Sequence, residues 1–264
     1  MKIIDCFMLG LDYELDLLEL RLEYLYPIVD HFVIVEANFT HTGNLKKLFF
    51  EENEIKFSKY ADKIIYVKVD GPISTEYKTW ENEFYQRNQI MVGLNRLGIK
   101  SNDIIIISDL DEFPSHDAIN FYITEKIDGL GNTTQDMYFY YLNWKANMSW
   151  SGSQFVRGHM LLSGATPQSF RDIRRKKNKL KIHGGWHFSY MGGTSAILSK
   201  ISSISEAPLL KSIDLDKIDS AIINKTFLSK DNIILTPINI LAEQYPESMK
   251  NKVSQLISIG LIKE

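Results

Sequence analysis

Short apolar runs separated by amphipathic segments organise the first half of the chain. The run Ile104–Ile107 consists of four β-branched residues with no polar face, which predicts a central strand covered on both sides. Leucines at helical spacing between residues 15 and 25 predict an amphipathic helix that ends at Pro27. This alternation predicts an α/β fold with a mostly parallel sheet flanked by helices. The other predicted strands of this half are Met1–Leu9, Phe32–Val35 and Ile64–Val69.

The pattern changes beyond residue 130. Aromatic, strand-like segments between Asp136 and Val156 predict a smaller antiparallel extension of the sheet, whose rings either fill its core or stack on a sugar. Amphipathic helices are predicted over Leu215–Leu228 and Ser248–Ile259, with a short strand at Asn232–Leu235 between them. Because no Gly-, Pro- or Ser-rich linker separates these parts, we expect a single domain over the whole chain.

Three carboxylates follow the isoleucine-rich strand at the point where it leaves the core. If the chain stays extended there, side chains alternate and Asp109 and Asp111 face the same way, with Glu112 next to them. Two neighbouring carboxylates repel unless a cation lies between them, and their oxygen atoms suit Mg²⁺ or Mn²⁺. Ligands of open α/β sheets bind at this edge. The alternative is that Asp111 or Ser115 simply caps a helix predicted over Asp117–Lys126.

A second informative element is the helix predicted over Trp80–Leu97. Arg87 lies in the middle of its apolar stripe, although a cation on a buried face is costly unless it is paired. Arg87 either forms an i, i+4 ion pair with Glu83 under the sheet or points into the ligand crevice to bind a phosphate or sugar oxygen. We favour the crevice, because the neighbouring strand ends in the acidic cluster. The stripe consists of Trp80, Phe84, Met91 and Leu94.

Two later segments carry further candidate groups. Arg171–Lys181 holds seven basic residues, a run that forms either a solvated face or a contact with an anionic acceptor, a diphosphate or a membrane surface. His183 and His187 offer metal ligands, and the glycines around them permit close approach of the backbone to a ligand. Buried structural histidines are commoner than ligands, so this segment alone decides nothing.

Composition narrows the class of protein. The 264 residues are 44% hydrophobic and 24% charged, as in ordinary globular proteins, and the net charge of −3 argues against a general nucleic-acid binder. Cys6 is the only cysteine, which excludes an intramolecular disulfide and fits a reducing compartment. No apolar window approaches the length of a membrane span, so we expect a cytoplasmic protein.

Four segments, taken in order, resemble glycosyltransferase family 17. The resemblance extends from Asp5 to Ser205, and its four ordered matches are more specific than an Asp-x-Asp pattern alone. Characterised animal members of this family add N-acetylglucosamine to N-glycans. The four segments are Phe32–Gly43, Trp80–Asn88, Ile107–Glu112 and Gly185–Tyr190.

The resemblance implies a GT-A type, Rossmann-like fold, a UDP-sugar donor and a divalent metal, usually Mn²⁺, with Mg²⁺ as the alternative. The Asp-x-Asp motif of the family falls on Asp109 and Asp111, and looser analogy with GT-A enzymes assigns His187 as a third metal ligand. Arg87 and Asn88 match an Arg-Asn pair that many GT-A enzymes place near the donor, where Asp109 is also expected to lie.

The reaction expected from the resemblance is inverting transfer of a sugar, most simply N-acetylglucosamine, to a glycan acceptor. Glu36 and Asn38, at the end of a neighbouring strand, are expected to contact the donor. Direct displacement needs a general base, for which Glu112 and Asp172 are the candidates. The three expected parts of the domain are the nucleotide-sugar half at 1–130, the acceptor-binding and metal-completing part at 131–205, and a C-terminal helical cover at 206–264.

Animal members carry an N-terminal membrane anchor, whereas this sequence starts at its first predicted strand. We therefore expect a bacterial or viral member without an anchor. Two other functions stay open, namely nucleotidyl transfer to a sugar phosphate and non-catalytic glycan binding on the same fold. Nucleotidyltransferases usually carry a Gly-rich, basic loop near the first strand, and Leu9–Asp12 is neither glycine-rich nor basic.

Overall fold

The run Ile104–Ile107 is the central strand that the sequence predicts, with every residue at most 1% exposed. Ile104 and Ile106 pack into one hydrophobic layer, and Ile105 and Ile107 pack into the layer on the opposite face. Both faces of the strand are therefore covered. The structure is a computed structural model that describes residues 1–74, 80–174, 180–207, 210, 212–228, 230–242 and 245–264.

The strands and helices of the described residues confirm the predicted alternation. The strands are β1 (Ile3–Leu9), β2 (His31–Ala37), β3 (Ile64–Val69), β4 (Ile104–Ile107), β5 (Glu112–Pro114), β6 (Gly131–Phe139), β7 (Trp144–Arg157), β8 (Leu180–Ser189), β9 (Thr226–Phe227) and β10 (Lys230–Pro237). The helices are α1 (Leu15–Leu25), α2 (Phe49–Glu52), α3 (Glu81–Asn88), α4 (Ile90–Leu97), α5 (His116–Thr124), α6 (Gly158–Leu162), α7 (Pro167–Ile173), α8 (Gly193–Ser203), α9 (Leu215–Asn224), α10 (Glu247–Lys250) and α11 (Val253–Ser258). Two 3₁₀ helices span Asp12–Glu14 and Glu54–Tyr60.

The sheet has a parallel half and a mixed half. Its order is β3-β2-β1-β4-β7-β6-β8-β5, and β10 pairs with β7 and β9. Strands β3, β2, β1 and β4 are mutually parallel, so Leu9, Ala37, Val69 and Ile107 end at one edge. Beyond β4 the pairing is antiparallel except between β6 and β8, which confirms the predicted extension. This common edge of the parallel half is where α/β folds bind ligands.

The helix predicted over Trp80–Leu97 divides at Gln89 into α3 and α4. In α4 the predicted apolar stripe is correct, because Leu94 is buried and Met91 packs partly buried against the same core, but near α3 it is wrong, because Phe84 is only partly buried and Trp80 is 41% exposed. The buried residues of α3 are polar because this helix covers the strand ends, whose carbonyl groups need donors. Its buried residues are Asn82, Gln86 and Arg87.

The aromatic half fills a core of its own. Phe139, Tyr140 and Trp144 are each at most 3% exposed and pack with α8 and α9, so these rings are core rather than a sugar-stacking surface. Gly185 has φ of +116°, and a Cβ there would lie 2.2 Å from the carbonyl oxygen of Phe113, so this glycine permits close approach of β8 to β5 rather than to a ligand. None of the described helices has the length and apolarity needed to cross a membrane.

Candidate active site

The segment Ser108–Glu112 forms a turn at the carboxyl end of β4. The amide of Glu112 donates to the carbonyl of Asp109 at 3.0 Å, so the expectation that the chain stays extended here is wrong. Asp111 does not begin a helix either. Ser115 caps α5, with its Oγ accepting from the amide of Ala118 at 3.1 Å. The turn therefore presents Asp109 and Asp111 to separate sets of partners at the ligand-binding edge.

Asp109 lies between two arginines. Its Oδ1 accepts from Arg87 Nη2 at 3.0 Å and its Oδ2 accepts from Arg171 Nη2 at 2.5 Å. Burial opposes ionisation of Asp109, but Arg171 and Arg87 outweigh it and hold the pKa of this carboxyl group well below its usual range. The side chain is still 34% exposed, so it also faces the open edge of the site.

Asp111 has a different pair of partners. Its Oδ1 lies 3.2 Å from His187 Nε2, and its Oδ2 accepts from Lys200 Nζ at 2.9 Å. Burial again opposes the charged form, and Lys200 and His187 outweigh it, so the pKa of Asp111 also lies well below its ordinary value. The other candidate histidine, His183, is exposed on β8, whereas His187 is buried.

Glu112 holds the turn rather than facing the site opening. It is 0% exposed, and its oxygens accept from Arg171 Nη1 at 2.8 Å, from Arg171 Nη2 at 2.9 Å and from Trp150 Nε1 at 2.7 Å. It also accepts from the amide of Asp109 at 3.1 Å. A carboxylate with these contacts has no open lone pair for an acceptor hydroxyl, so the geometry speaks against Glu112 as a general base.

Arg87 forms the i, i+4 pair that the sequence offers as one alternative, and it also lies beside the acidic turn. Its Nη2 donates to Glu83 at 2.8 Å and to Asp109 at 3.0 Å, so the i, i+4 pair and the position beside the acidic turn coexist. Arg87 Nη1 also donates to Gln168 Oε1. Asn88 accepts from the amide of Gln168 at 3.0 Å, and the exposed Asp172 accepts from Gln168 Nε2 at 2.7 Å. Asn88 and Asp172 therefore join the site through Gln168.

Glu36 and Asn38 have partners of their own. Glu36 is 0% exposed and accepts from the amide groups of Phe49 and Phe50 and from the Tyr66 hydroxyl, so it anchors the segment after β2. Asn38 donates to Asp70 at 3.1 Å and lines an open surface pocket of about 320 Å³ at the ends of β2 and β3. In the described part of the chain, the hydrogen bonds and ion pairs of Glu36 and Asn38 do not reach the Ser108–Glu112 turn.

Two cations of the site were missed or misread from the sequence. Lys200 lies on α8, which passes over the carboxyl edge, and a single lysine on an amphipathic helix gives no signal. Arg171, the first residue of the predicted basic run, is 3% exposed and binds Asp109 and Glu112, so its expected solvated or membrane-facing position is wrong. Residues 175–179 of that run lie outside the described residues.

These side chains form a charge network across five elements. Among the described residues, ion pairs of 2.5 to 3.2 Å join α3 and α7 to the turn through Asp109 and Glu112, and join β8 and α8 to it through Asp111. Ser205, just beyond α8, also donates to Glu83 at 2.7 Å and fastens the α8 segment to α3. The members of the charge network are Glu83, Arg87, Asp109, Asp111, Glu112, Arg171, His187 and Lys200.

Residues 1–247 match the family model for glycosyltransferase family 17. The chain belongs to glycosyltransferase family 17. This confirms the resemblance inferred from the sequence and places the protein in a family of glycosyltransferase enzymes.

The family 17 relatives match over only part of their length. The β-1,4-mannosyl-glycoprotein 4-β-N-acetylglucosaminyltransferases of Rattus norvegicus and Homo sapiens are each 33% identical to this chain over 118 residues. The match covers 43% of this chain and 22% of each relative. The enzyme from Mus musculus is 32% identical over the same length. The relatives are thus much longer than the part they share with this protein.

Solved structures similar to this family 17 chain are distant. HddC from Yersinia pseudotuberculosis has a TM-score of 0.42 and 12% identity, and the match covers 72% of this chain and 91% of HddC. A glycosyltransferase involved in glycosylation of the major capsid of PBCV-1 has a TM-score of 0.29 and 14% identity, over 67% of this chain and 69% of that protein. Similarity at this level carries no conclusion about function.

Asp111 and His187 are two neighbouring side chains of types that bind divalent cations. The described residues contain no cluster of three or more His, Cys, Asp or Glu side chains able to enclose a metal. Asp111 Oδ1 and His187 Nε2 are, however, 3.2 Å apart, close to the separation of about 3 Å between adjacent ligands of an octahedral ion. Mg²⁺ commonly takes one or two carboxylates and completes its shell with water and substrate phosphates. Asp111 and His187 suit such a partial site, beside Asp109.

We expect the acidic turn to make folding stability depend on pH. The pKa values of Asp109 and Asp111 are lowered in the folded protein, whereas an unfolded aspartate titrates near about 3.9. Their contribution is therefore fully present above that value and is lost as the pH falls toward the folded pKa values. Thermal unfolding between about pH 4 and 2 should show a steeper loss of Tm for the wild type than for Asp111→Asn. Parallel pH profiles of the two proteins would contradict this.

Proposed function

We propose that this protein transfers a sugar, N-acetylglucosamine, from a UDP-sugar to a hydroxyl group of a glycan, with inversion and with Mn²⁺ or Mg²⁺ bound. Family membership and the N-acetylglucosaminyltransferase activity for which the mammalian relatives are named support the reaction and the sugar. One observation carries the proposal. Two carboxylates and a histidine, Asp109, Asp111 and His187, lie beside three positively charged side chains at the carboxyl end of β4. Those cations are Arg87, Arg171 and Lys200.

The charge balance of the site favours a divalent cation together with a diphosphate. In the charge network, as far as the structure describes it, four carboxylates face three permanently charged cations. Within that set the carboxylates exceed the permanently charged groups by one, and Arg174 also acts electrostatically on Asp109. A divalent cation reverses that balance and makes the edge attractive to the anionic part of a sugar nucleotide.

The chain's own groups have separable tasks in this proposal. When bound, the metal would supply Lewis-acid stabilisation of the charge that develops on the departing UDP. Arg87 and Arg171 orient Asp109 through fixed ion pairs, and their positive charges act at the edge where this proposal places the donor phosphates. Lys200 neutralises Asp111 and adds positive charge on the α8 side of the site. Together these cations favour binding of the anionic donor at the turn.

A general base is still required for inversion. Of the two acids expected from the sequence, the exposed Asp172 is the one that its contacts leave accessible, so we retain it as the proposed base in preference to Glu112. Asp172→Asn should lower kcat by about 10²-fold or more, with little change in the affinity for UDP. Steady-state kinetics alongside calorimetric titration of UDP would measure both. A kcat within about twofold of the wild-type value would remove Asp172 from this role.

A panel of UDP-sugars tests the proposed function as a whole. With Mn²⁺ present, slow release of UDP to water should occur with UDP-N-acetylglucosamine and be abolished by a chelator, then restored by added Mn²⁺. Release of pyrophosphate from a nucleoside triphosphate and a sugar phosphate would instead indicate nucleotidyl transfer. Binding of glycans without turnover of any sugar nucleotide would indicate a non-catalytic protein. Either outcome would contradict the proposal.

A further inference from the structure

Arg21 is a fully buried cation in the middle of α1. It is 0% exposed, although a pattern of leucines with charged residues between them predicts that it faces solvent. A buried guanidinium is unfavourable unless its charge is paired and its donors are satisfied. Its contacts therefore show what the fold uses it for.

One side of the Arg21 guanidinium is fixed to β1. Its Nε and Nη2 donate to the two oxygens of Asp5 at 2.8 and 2.7 Å, a bidentate pair in which both side chains are fully buried. The rings of Phe7 and Phe113 lie 4.7 and 5.5 Å from the guanidinium carbon. The position of this cation is therefore determined by the core of the sheet.

The other side of Arg21 binds the acidic turn from beneath. Its Nη1 donates to the carbonyl oxygens of Asp109 at 3.3 Å, Leu110 at 3.1 Å and Glu112 at 2.6 Å. Its Nη2 donates to Ser108 Oγ at 2.6 Å. A single side chain thus contacts four of the five residues of the turn. With the carbonyl groups drawn toward the core, the carboxylates of the turn are left to face the charge network.

We propose that Arg21 is a positioning residue for the reaction. It fixes the Ser108–Glu112 turn against Asp5 so that Asp109 and Asp111 are held in the arrangement that receives the metal and the donor. This inference rests on the proposed function, and Arg21 itself touches neither substrate nor metal. Lysine cannot replace it, because a single ammonium group lacks the planar fork that spans Asp5 and three carbonyl groups at once.

Arg21→Lys tests the inference with two measurements that do not depend on turnover. Mn²⁺ affinity, measured by electron paramagnetic resonance of the free ion, should weaken by about 10- to 100-fold, as for other groups that orient metal ligands. Hydrogen exchange of the Glu112 amide, which closes the turn on Asp109, should become faster in NMR spectra of the metal-free protein.

Arg157→Lys is the matched control. Arg157 is also buried, donates to the carbonyl groups of Ile127 at 2.8 Å and Asn102 at 3.3 Å, and stacks over Tyr122, but it lies at the opposite, amino end of β4. This variant should lose stability while keeping wild-type Mn²⁺ affinity and wild-type exchange at Glu112. Equal changes in both variants would overturn the inference, because they would show only a general loss of stability.

The inference can still be tested if Arg21→Lys does not fold or if the wild type binds no Mn²⁺. If Arg21→Lys does not fold, Ser108→Ala removes one acceptor of the same guanidinium, and it should shift Mn²⁺ affinity and Glu112 exchange in the same direction. Unchanged values for both would overturn the inference. If the wild type binds no Mn²⁺, the proposed metal site fails, and exchange at Glu112 alone then decides whether Arg21 positions the turn.

Discussion

Replacing Asp111 by asparagine is expected to lower kcat roughly a thousandfold and to abolish Mn²⁺-dependent binding of UDP. The change removes the carboxylate that lies 3.2 Å from His187 Nε2, and it leaves Lys200 without its 2.9 Å partner. Both effects act at the point where we place the metal and the diphosphate. Turnover of UDP-N-acetylglucosamine and calorimetric titration of UDP with and without Mn²⁺ are the measurements, with circular dichroism to verify folding.

Asp128→Asn is the control for this experiment. Asp128 and His159 form a second Asp–His pair at 3.0 Å, but Asp128 is 83% exposed and is not part of the charge network. Loss of that surface pair should leave both kcat and UDP binding within about twofold of the wild type. If Asp111→Asn behaved like Asp128→Asn, the carboxylate of Asp111 would have no part in the chemistry.

Replacing Arg171 by methionine is expected to reduce the free energy of unfolding by about 3–5 kcal/mol. Arg171 donates to both Glu112 and Asp109, and the Arg171 and Glu112 side chains are 1% and 0% exposed. Without the guanidinium, Glu112 keeps only the donors from Trp150 and the Asp109 amide, so a charge stays buried with too few partners. Urea denaturation followed by tryptophan fluorescence measures the change.

A second variant separates two causes of the lost stability, namely the unpaired charge of the buried Glu112 carboxylate and the loss of side-chain packing. Adding Glu112→Gln to Arg171→Met removes the unpaired charge and should recover a substantial part of the lost stability. Lys145→Met serves as the control, since the Lys145–Asp136 pair at 2.7 Å is more than one-third exposed on both sides and should contribute less than about 1 kcal/mol. Equal losses for Arg171→Met and Lys145→Met would show that the buried network adds no stability.

The sheet and the location of the acidic turn could be predicted from the sequence because both depend on local patterns. Four β-branched residues at Ile104–Ile107 have few alternatives to a covered strand, and the leucines of α1 define its face without reference to the rest of the fold. The edge at which parallel strands end then fixes where Asp109 and Asp111 lie. These steps need only periodicity and the right-handed connection between parallel strands.

The geometry of the site could not be predicted in the same way, because its partners are far apart in sequence. Lys200 reaches Asp111 across 89 positions, and Arg21 reaches Glu112 across 91. The alternation expected for Asp109 and Asp111 fails because the turn is bound from below by Arg21 and from the side by Glu112. The sequence does hold one signal for Arg21. Asp5 interrupts the first apolar run, and a carboxylate inside a buried strand needs a buried cation as its partner.

The α3 helix shows a related limit. Helical periodicity placed Arg87 on an apolar stripe, yet the buried face of α3 is polar, with Gln86 donating to the carbonyl of Val35 at 3.2 Å. Hydrophobic periodicity identifies the face that packs on a sheet, but not the face that covers the ends of strands, where backbone carbonyl groups need donors. Arg87 was found because of its unusual position, and its contacts with Glu83 and Asp109 required the three-dimensional structure.

The most direct measurement is the anomalous diffraction of Mn²⁺ in crystals of this protein grown with UDP. The account predicts a single strong peak about 2.2 Å from a carboxylate oxygen of Asp111 and from His187 Nε2, with the diphosphate of UDP bound to the same ion. Ordered UDP without such a peak, or Mn²⁺ bound elsewhere while Asp111 stays paired with Lys200, would contradict it.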